Sequence, residues 1–181
     1  MEFDLEGKDL KDAYKLLAGL VTPRPIAWVT TLDEDGSVNA APFSFFNVFG
    51  SEPPIIAFAP GNREPGIPKD TARNLRRTGE FVVNLANETL AEAMVACAAS
   101  LPPGVSELEH LNLATASSTS ISVPRIAEAP VSLECTEWRT LEIGKNRLVI
   151  GLVKRIHVKD VILDPDSLGM SSRSLEMEDG C

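Results

Sequence analysis

Apolar positions recur at helical spacing over residues 8–20, where Leu10, Tyr14 and Leu17 align with Leu16 and Leu20 beside them, and Gly19 with Thr22-Pro23 ends the pattern. A short N-terminal helix is expected. Residues 26–32 are rich in β-formers, Asp33-Glu34-Asp35-Gly36 is a turn signal, and 38–46 is a second extended run, so the pair predicts a hairpin. Two more strands are expected at 54–59, closed by Pro60-Gly61, and at 80–85. Between them, 70–78 reads as a helix capped by Asp70 and stopped by Gly79. Residues 88–99 place Leu90, Met94 and Cys97 at i, i+4 and i+7 and predict another helix. The stretch 100–130, with Pro102-Pro103-Gly104, a Ser/Thr-rich run over 115–122, Pro124 and Pro130, suggests a long excursion over the surface. Long strands return at 131–143 and 147–158, joined by Gly144-Lys145-Asn146 as a second hairpin.

Six extended segments with three modest helices predict a mostly β (α+β) domain, a barrel or sandwich with helices packed outside. A doubly wound sheet would need regular alternation of strand and helix, which the pattern lacks. No repeat or linker divides the chain, so one domain over 1–163 and a polar tail over 164–181 are expected.

Composition narrows the function classes. With 181 residues and 44% hydrophobic content, one core is expected, and a net charge of −9 sets the field against phosphodiester backbones and anionic headgroups. Neither nucleic acid nor a membrane is expected as a partner. The longest apolar runs, 54–59 and 148–153, fall far short of the roughly 20 residues of a spanning helix. The acidic start, with Glu2, Asp4 and Glu6, does not resemble a signal peptide. Cys97, Cys135 and Cys181 are too few and too widely spaced for a disulfide framework or a thiolate metal site, which fits a reducing cytoplasm. His110 and His157 have no ligand spacing around them, so no metal is expected and the chemistry falls to an organic cofactor.

Three segments carry candidate chemistry. Asn39-Ala40-Ala41-Pro42-Phe43-Ser44-Phe45-Phe46-Asn47 combines small residues that allow close approach, hydrogen-bonding groups on Asn39, Ser44 and Asn47, and aromatic walls. This mixture suits a flat ring, and equally a buried strand with a proline bulge. Lys69-Asp70-Thr71-Ala72-Arg73-Asn74 opens a predicted helix with a cation and a hydroxyl, the makings of an anion site or simply of a solvated helix end. Thr22-Pro23-Arg24-Pro25 stiffens the entry to the first strand, on which Thr30 and Thr31 put one hydroxyl on each face. An ordinary strand with a surface arginine accounts for the same residues. Cys135 suits a buried thiol better than a redox centre, and His157 a structural role better than a cofactor contact. Ser44 has no base near it in sequence, Asn87-Glu88-Thr89 is most simply a helix start, and no Gly-rich dinucleotide fingerprint is present.

The order and spacing of these segments resemble the flavin reductase-like FMN-binding split-barrel family, which includes the flavoredoxins. The similar pattern runs from Thr22 to Asp164. It takes in Pro23-Arg24-Pro25-Ile26-Ala27, the 39–47 segment, Pro53-Pro54, Lys69 to Asn74, Phe81-Val82-Val83-Asn84-Leu85, Leu133-Glu134-Cys135 and Gly151-Leu152-Val153 to His157-Val158. The resemblance implies a homodimer of split barrels with one FMN per protomer in a groove at the interface. The phosphate would lie near Lys69 and Thr71 with Thr30, Thr31 and Arg24, Asp70 would cap the helix, and Ala41, Pro42, Phe43, Ser44, Phe45 and Phe46 would run along the ring. Asn39, Asn47 and Asn74 complete the implied set. The function implied is NADH- or NADPH-dependent reduction of flavin or a small acceptor, with the flavin and not a side chain supplying the redox chemistry. An FMN electron-transfer protein reduced by a protein partner is the alternative, and a flavin or haem-related carrier without turnover a third. The chain departs from the family at its end, where members continue with an arginine, a glycine pair and a tyrosine, while Arg173 here stands in a serine-rich stretch.

Overall fold

A computed structural model of the chain describes residues 2–5, 10–64, 67–99, 106–164 and 166–169. Helix α1 (Leu10–Leu20) precedes the hairpin of β1 (Ala27–Leu32) and β2 (Val38–Phe43); β3 (Phe46–Ser51) and β4 (Pro54–Phe58) form a second hairpin. A small ribbon of β5 (Asn62–Glu64) and β6 (Ile67–Pro68) leads into α2 (Asp70–Thr78), β7 (Glu80–Leu85) and α3 (Glu88–Ala96). After α4 (Glu107–His110) and the short pair β8 (Thr115–Ala116) and β9 (Arg125–Ile126), the chain closes with the long hairpin of β10 (Val131–Ile143) and β11 (Asn146–Val158).

Seven strands form one sheet in the order β2-β1-β7-β10-β11-β4-β3. The strands β2 and β3 are neighbours in sequence yet lie at opposite edges of that sheet. Only Ser44 and Phe45 join them, and a joint that short spans at most about 11 Å. The sheet must therefore curl until its edges approach each other, and the N–H of Ala59 donates to the Phe45 carbonyl at 2.9 Å across the joint.

Strand β1 is buried on both faces, which explains its nearly unbroken apolar sequence. Ala27 and Val29 join Phe43, Phe58 and Phe81 in the inner core, while Trp28 packs on the other side with Leu90, Met94, Leu108 and Ile126 from α3, α4 and β9. Gly151 is required by close approach, since a Cβ there would lie 2.5 Å from the Phe81 ring. Helix α2 stops where expected: Gly79 adopts φ 65° and its N–H bonds the Leu75 carbonyl at 2.8 Å.

Several expectations are corrected. The run 38–46 is not one strand, because β2 ends at Phe43 and β3 begins at Phe46, and β3 went unpredicted. Its outward Val48 and Phe49 break the alternation that marks a half-buried strand. Lys69, not Asp70, occupies the N-cap position of α2, without a side-chain cap bond. Asp70 is the first helical residue and pairs with Arg73 at 2.7 Å. Helix α3 ends at Ala96 instead of running to 99. The described part of 100–130 is a surface excursion only over 109–122; its flanks enter the core through Leu108, Val123, Ile126 and Ala129. Its serine- and threonine-rich run stays at the surface, tied down by the buried Glu134 carboxylate, which accepts the N–H groups of Thr119 and Ser120 at 2.7 and 2.6 Å. No described helix is long and apolar enough to cross a membrane. The tail predicted from 164 lies outside the described residues beyond Gly169, and its last described part is a turn closed by Leu168 N–H on the Asp164 carbonyl.

Candidate functional site

Adjacent hairpin strands and one helix N-terminus bring four of the expected residues together. Thr31 on β1 and Asn39 on β2 are directly paired, and the first turns of α2 pack over them with Thr71 and Asn74. The Asn39 amide donates to Thr71 Oγ1 at 3.0 Å and more weakly to Thr31 Oγ1 at 3.4 Å, and the Asn74 amide donates to Thr31 Oγ1 at 3.2 Å. All four are buried and uncharged. Their hydroxyl protons and amide oxygens have no partner among the described residues, so the cluster holds capacity in reserve.

Lys69 stands where this cluster meets solvent. The first intrahelical bond of α2 runs from Arg73 N–H to the Lys69 carbonyl, which leaves the N–H groups of 70–72 without helical acceptors. These groups and the Lys69 ammonium face the same end of the helix, and Lys69 Nζ lies 5.6 Å from the Phe43 ring. A small cavity of about 80 Å³, bordered by Asn39, Ala41, Pro42, Lys69, Asp70 and Thr71, shares Pro42 and Lys69 as lining with a larger one of about 300 Å³. Tyr14, Phe43, Ser44, Phe45 and Arg147 border the larger compartment.

The remaining expected residues are placed differently. Thr30 points to the opposite face of β1, where its hydroxyl donates to the Pro124 carbonyl at 2.8 Å. Phe43 and Phe46 are both buried in the inner core, Phe43 also bordering the larger cavity, whereas Phe45 is exposed, with Tyr14 edge-on at 6.1 Å. Asn47 faces solvent on β3 with its side chain on the Val48 N–H, and borders neither cavity. Arg24 also stays outside them, binding the Ala18 and Val21 carbonyls at the end of α1 and resting 5.7 Å over the Phe45 ring.

Other residues at this site were not visible in the sequence. Arg147 follows the turn of the long hairpin; its side chain is 11% exposed, it binds Glu142 at 3.0 Å, and its Nη1 is buried without a partner. Only its place just after a turn at a strand start hinted at it. Glu107 of α4 reaches the small cavity and accepts the Ala40 N–H at 3.0 Å. Cys97 borders the same cavity; burial above all, with the Glu107 charge adding to it, pushes its thiol up to about 11. Such a thiol carries almost no thiolate at neutral pH.

Behind the site, the side-chain amide of Asn84 is saturated. Asn84 donates to the Trp28 carbonyl at 3.0 Å and to Thr30 Oγ1 at 3.4 Å, while its oxygen accepts Ile126 N–H at 3.0 Å and Ser132 Oγ at 2.9 Å. His157 Nε2 meets Glu134 Oε1 at 2.5 Å, away from both cavities, in keeping with a structural role. Burial alone would push the Glu134 carboxyl up, but the bonds from His157, Thr119 and Ser120 outweigh it and hold it below the ordinary range. Cys135, deep in the inner core, is raised to about 12 by burial and by Glu134, as fits an inert thiol. Among the described residues no group of His, Cys, Asp and Glu could hold a metal.

The chain is similar to solved structures over nearly its whole length. Component B of nitrilotriacetate monooxygenase from Bacillus cereus superposes with a TM-score of 0.90 at 36% identity, covering 97% of this chain and 88% of that one. The 2-nitrobenzoate 2-nitroreductase NbaA of Pseudomonas fluorescens gives 0.84 at 34% identity, covering 94% and 82%. A split-barrel-domain protein of Shewanella frigidimarina, at 20% identity, shows the fold alone, with a TM-score of 0.78 and 92% and 84% coverage. The model of the flavin reductase like domain matches residues 19–174, and the chain therefore belongs to the flavin reductase-like family of flavin-related oxidoreductases, with the split-barrel fold.

Proposed function

We propose that the chain binds FMN in the two adjoining cavities and catalyses NADH- or NADPH-dependent reduction of flavin or a small acceptor. The observation that carries this reading is the uncharged Thr31–Asn39–Thr71–Asn74 cluster, set beside Lys69 and the open N–H groups of α2, at the mouth of a cleft walled by residues 41–45. A phosphate dianion calls for hydroxyl, amide and N–H donors with a cation at hand, and the cluster offers these. The two nearby carboxylates are engaged elsewhere, Asp70 with Arg73 and Glu107 with the Ala40 N–H.

In this reading Lys69, Thr71 and Thr31 hold the phosphate, and Asn39 and Asn74 orient the two hydroxyls. Ala41, Pro42 and Ser44 leave room for a flat ring against Phe45, while Thr30, Phe46 and Asn47 support the strands from behind. When bound, the flavin supplies the hydride and electron chemistry. Arg147 borders that compartment, where negative charge on the reduced ring would gain a cation. Similarity to a 2-nitrobenzoate 2-nitroreductase supports a small aromatic acceptor.

A homodimer belongs to the same reading. Val48 and Phe49 of β3, Trp138 and Ile143 of β10 and Leu20 of α1 are all more than half exposed, more apolar surface than a lone protomer of this charge needs. Anaerobic mixing of FMN-loaded protein with NADH or NADPH tests the activity. Rapid loss of the oxidised flavin absorbance with one of them is expected; protein that holds FMN but stays oxidised with both would sink the reductase assignment and leave the carrier role.

A further inference from the structure

A third cavity, about 400 Å³, shares no lining residue with the two described above. Arg125 of β9, Pro130, Ile156 and Val158 border it, together with His157 and Lys159 at the end of β11. Three basic side chains and no carboxylate thus surround one opening on a chain whose net charge is −9.

Arg125 is the anomaly. Among the described residues, Arg24, Arg73, Arg76, Arg77, Arg147 and Arg155 each donate to an acceptor, and Arg139 rests on the Trp138 ring. The half-buried Arg125 guanidinium has no such partner, and its Nε is shut off from water. A guanidinium N–H shut off from water without an acceptor is costly, and an anion entering the cavity gives the group an acceptor. Lys159 spends one N–H on the Glu128 carbonyl at 2.7 Å and keeps its other protons. His157 is anchored by Glu134 and so presents a fixed ring edge to the opening.

We propose that this cavity binds the carboxylate of a small organic acid, with Arg125 gripping both oxygens and Lys159 as the second cation. The planar fork of a guanidinium matches a carboxylate. The walls of Pro130, Ile156 and Val158 give an apolar body a place that inorganic phosphate would leave empty. Glu128 is the competing partner, since its Oε2 is also buried without a hydrogen bond, three residues along the chain from Arg125.

The test is a titration of the full-length, FMN-saturated protein with benzoate, followed by calorimetry and by the imidazole NMR signals of its two histidines. FMN saturation fills the flavin cleft, and because an aromatic acceptor would stack on that flavin, only binding that moves the His157 signals and is weakened in R125Q is assigned to this cavity. Repeating the titration without FMN separates this site from the flavin assignment. Saturable binding that moves the His157 signals and leaves those of His110 in place is expected. R125Q should weaken it about tenfold or more, K159M several-fold, and benzamide, uncharged but of the same shape, should not bind. If R125Q does not fold, as judged by its melting curve, K159M decides alone. The proposal is overturned by equal binding to R125Q, by benzamide matching benzoate, by phosphate binding more tightly than benzoate, or by unmoved His157 signals. It is likewise overturned if benzoate binds only after E128Q, because Arg125 would then belong to Glu128.

Discussion

Thr30 and Thr31 are consecutive residues of one strand, both fully buried, and each sits in a network with an asparagine. Around Thr30 the network is closed: the amide of Asn84 uses both its donors and its acceptor on β1, β9 and β10, and Thr30 itself donates to Pro124. Around Thr31 it is open, because its neighbours Asn39 and Thr71 border a cavity that Lys69 also lines. The same residue types thus serve as mortar on one face and as a receptor on the other. What separates them is unspent hydrogen-bonding capacity beside empty space.

The largest effect that could break this contrast is expected for Asn84→Ala. It strands several buried polar groups at about 1–3 kcal/mol each, so urea denaturation should show a loss of at least about 3 kcal/mol. A loss under about 1 kcal/mol would mean that the closed network is not structural. Acid should come next. Because the Glu134 carboxyl is held below its ordinary value in the folded protein, its contribution is present above the ordinary carboxylate range and disappears as pH falls through the lowered one. Melting temperature measured from pH 7 down to 3 should therefore drop more steeply for the natural chain than for Glu134→Gln, and parallel curves would refute the assignment.

On the open side the effects move from stability to affinity. Lys69→Ala should weaken FMN about tenfold or more while barely changing riboflavin, and equal losses for both ligands would remove Lys69 from the phosphate. Thr31→Val keeps the shape and deletes the hydroxyl; a loss of FMN affinity of about threefold to tenfold with little change in melting temperature is expected. The smallest change is reserved for Ser44→Ala, whose backbone donors survive the substitution. Less than about a threefold change in FMN affinity is anticipated, and abolished turnover would show that the hydroxyl has a chemical part to play.

Much of this arrangement was legible in the sequence, and the limits were physical. The turn at 33–36, the end of α2 at Gly79 and the long hairpin depend on local signals, and the strands and helix between them followed. Lys69, Thr71 and Thr31 were expected together, along with Thr30 and Arg24, which lie elsewhere, because their segments match a family pattern, not because spacing alone joins 31 to 71; Asn39 and Asn74 belonged only to the wider set. Which of two adjacent threonines would face the cavity depended on what packs against each face, and that lay in 100–130, the region whose composition suggested surface. Arg147 was missed because a hairpin tip brings it to the cavity that Lys69 also borders, a juxtaposition of residues far apart in sequence. The division between β2 and β3 was missed because Ser44-Phe45 carries no glycine, proline or asparagine.

That two-residue joint has a consequence for how the molecule moves. It is the only covalent stitch between the two edges of the sheet, and it runs beside the larger cavity, so the barrel has a seam whose two lips are β2 and β3. Edge strands lack a neighbour on one side, so their amides open at lower cost than those of β1, β7 or β10. A flat molecule lodged against residues 41–45 acts as a clasp on that seam. Its arrival should be recorded as slowed amide hydrogen exchange along both lips at once, including residues of β3 that it never touches.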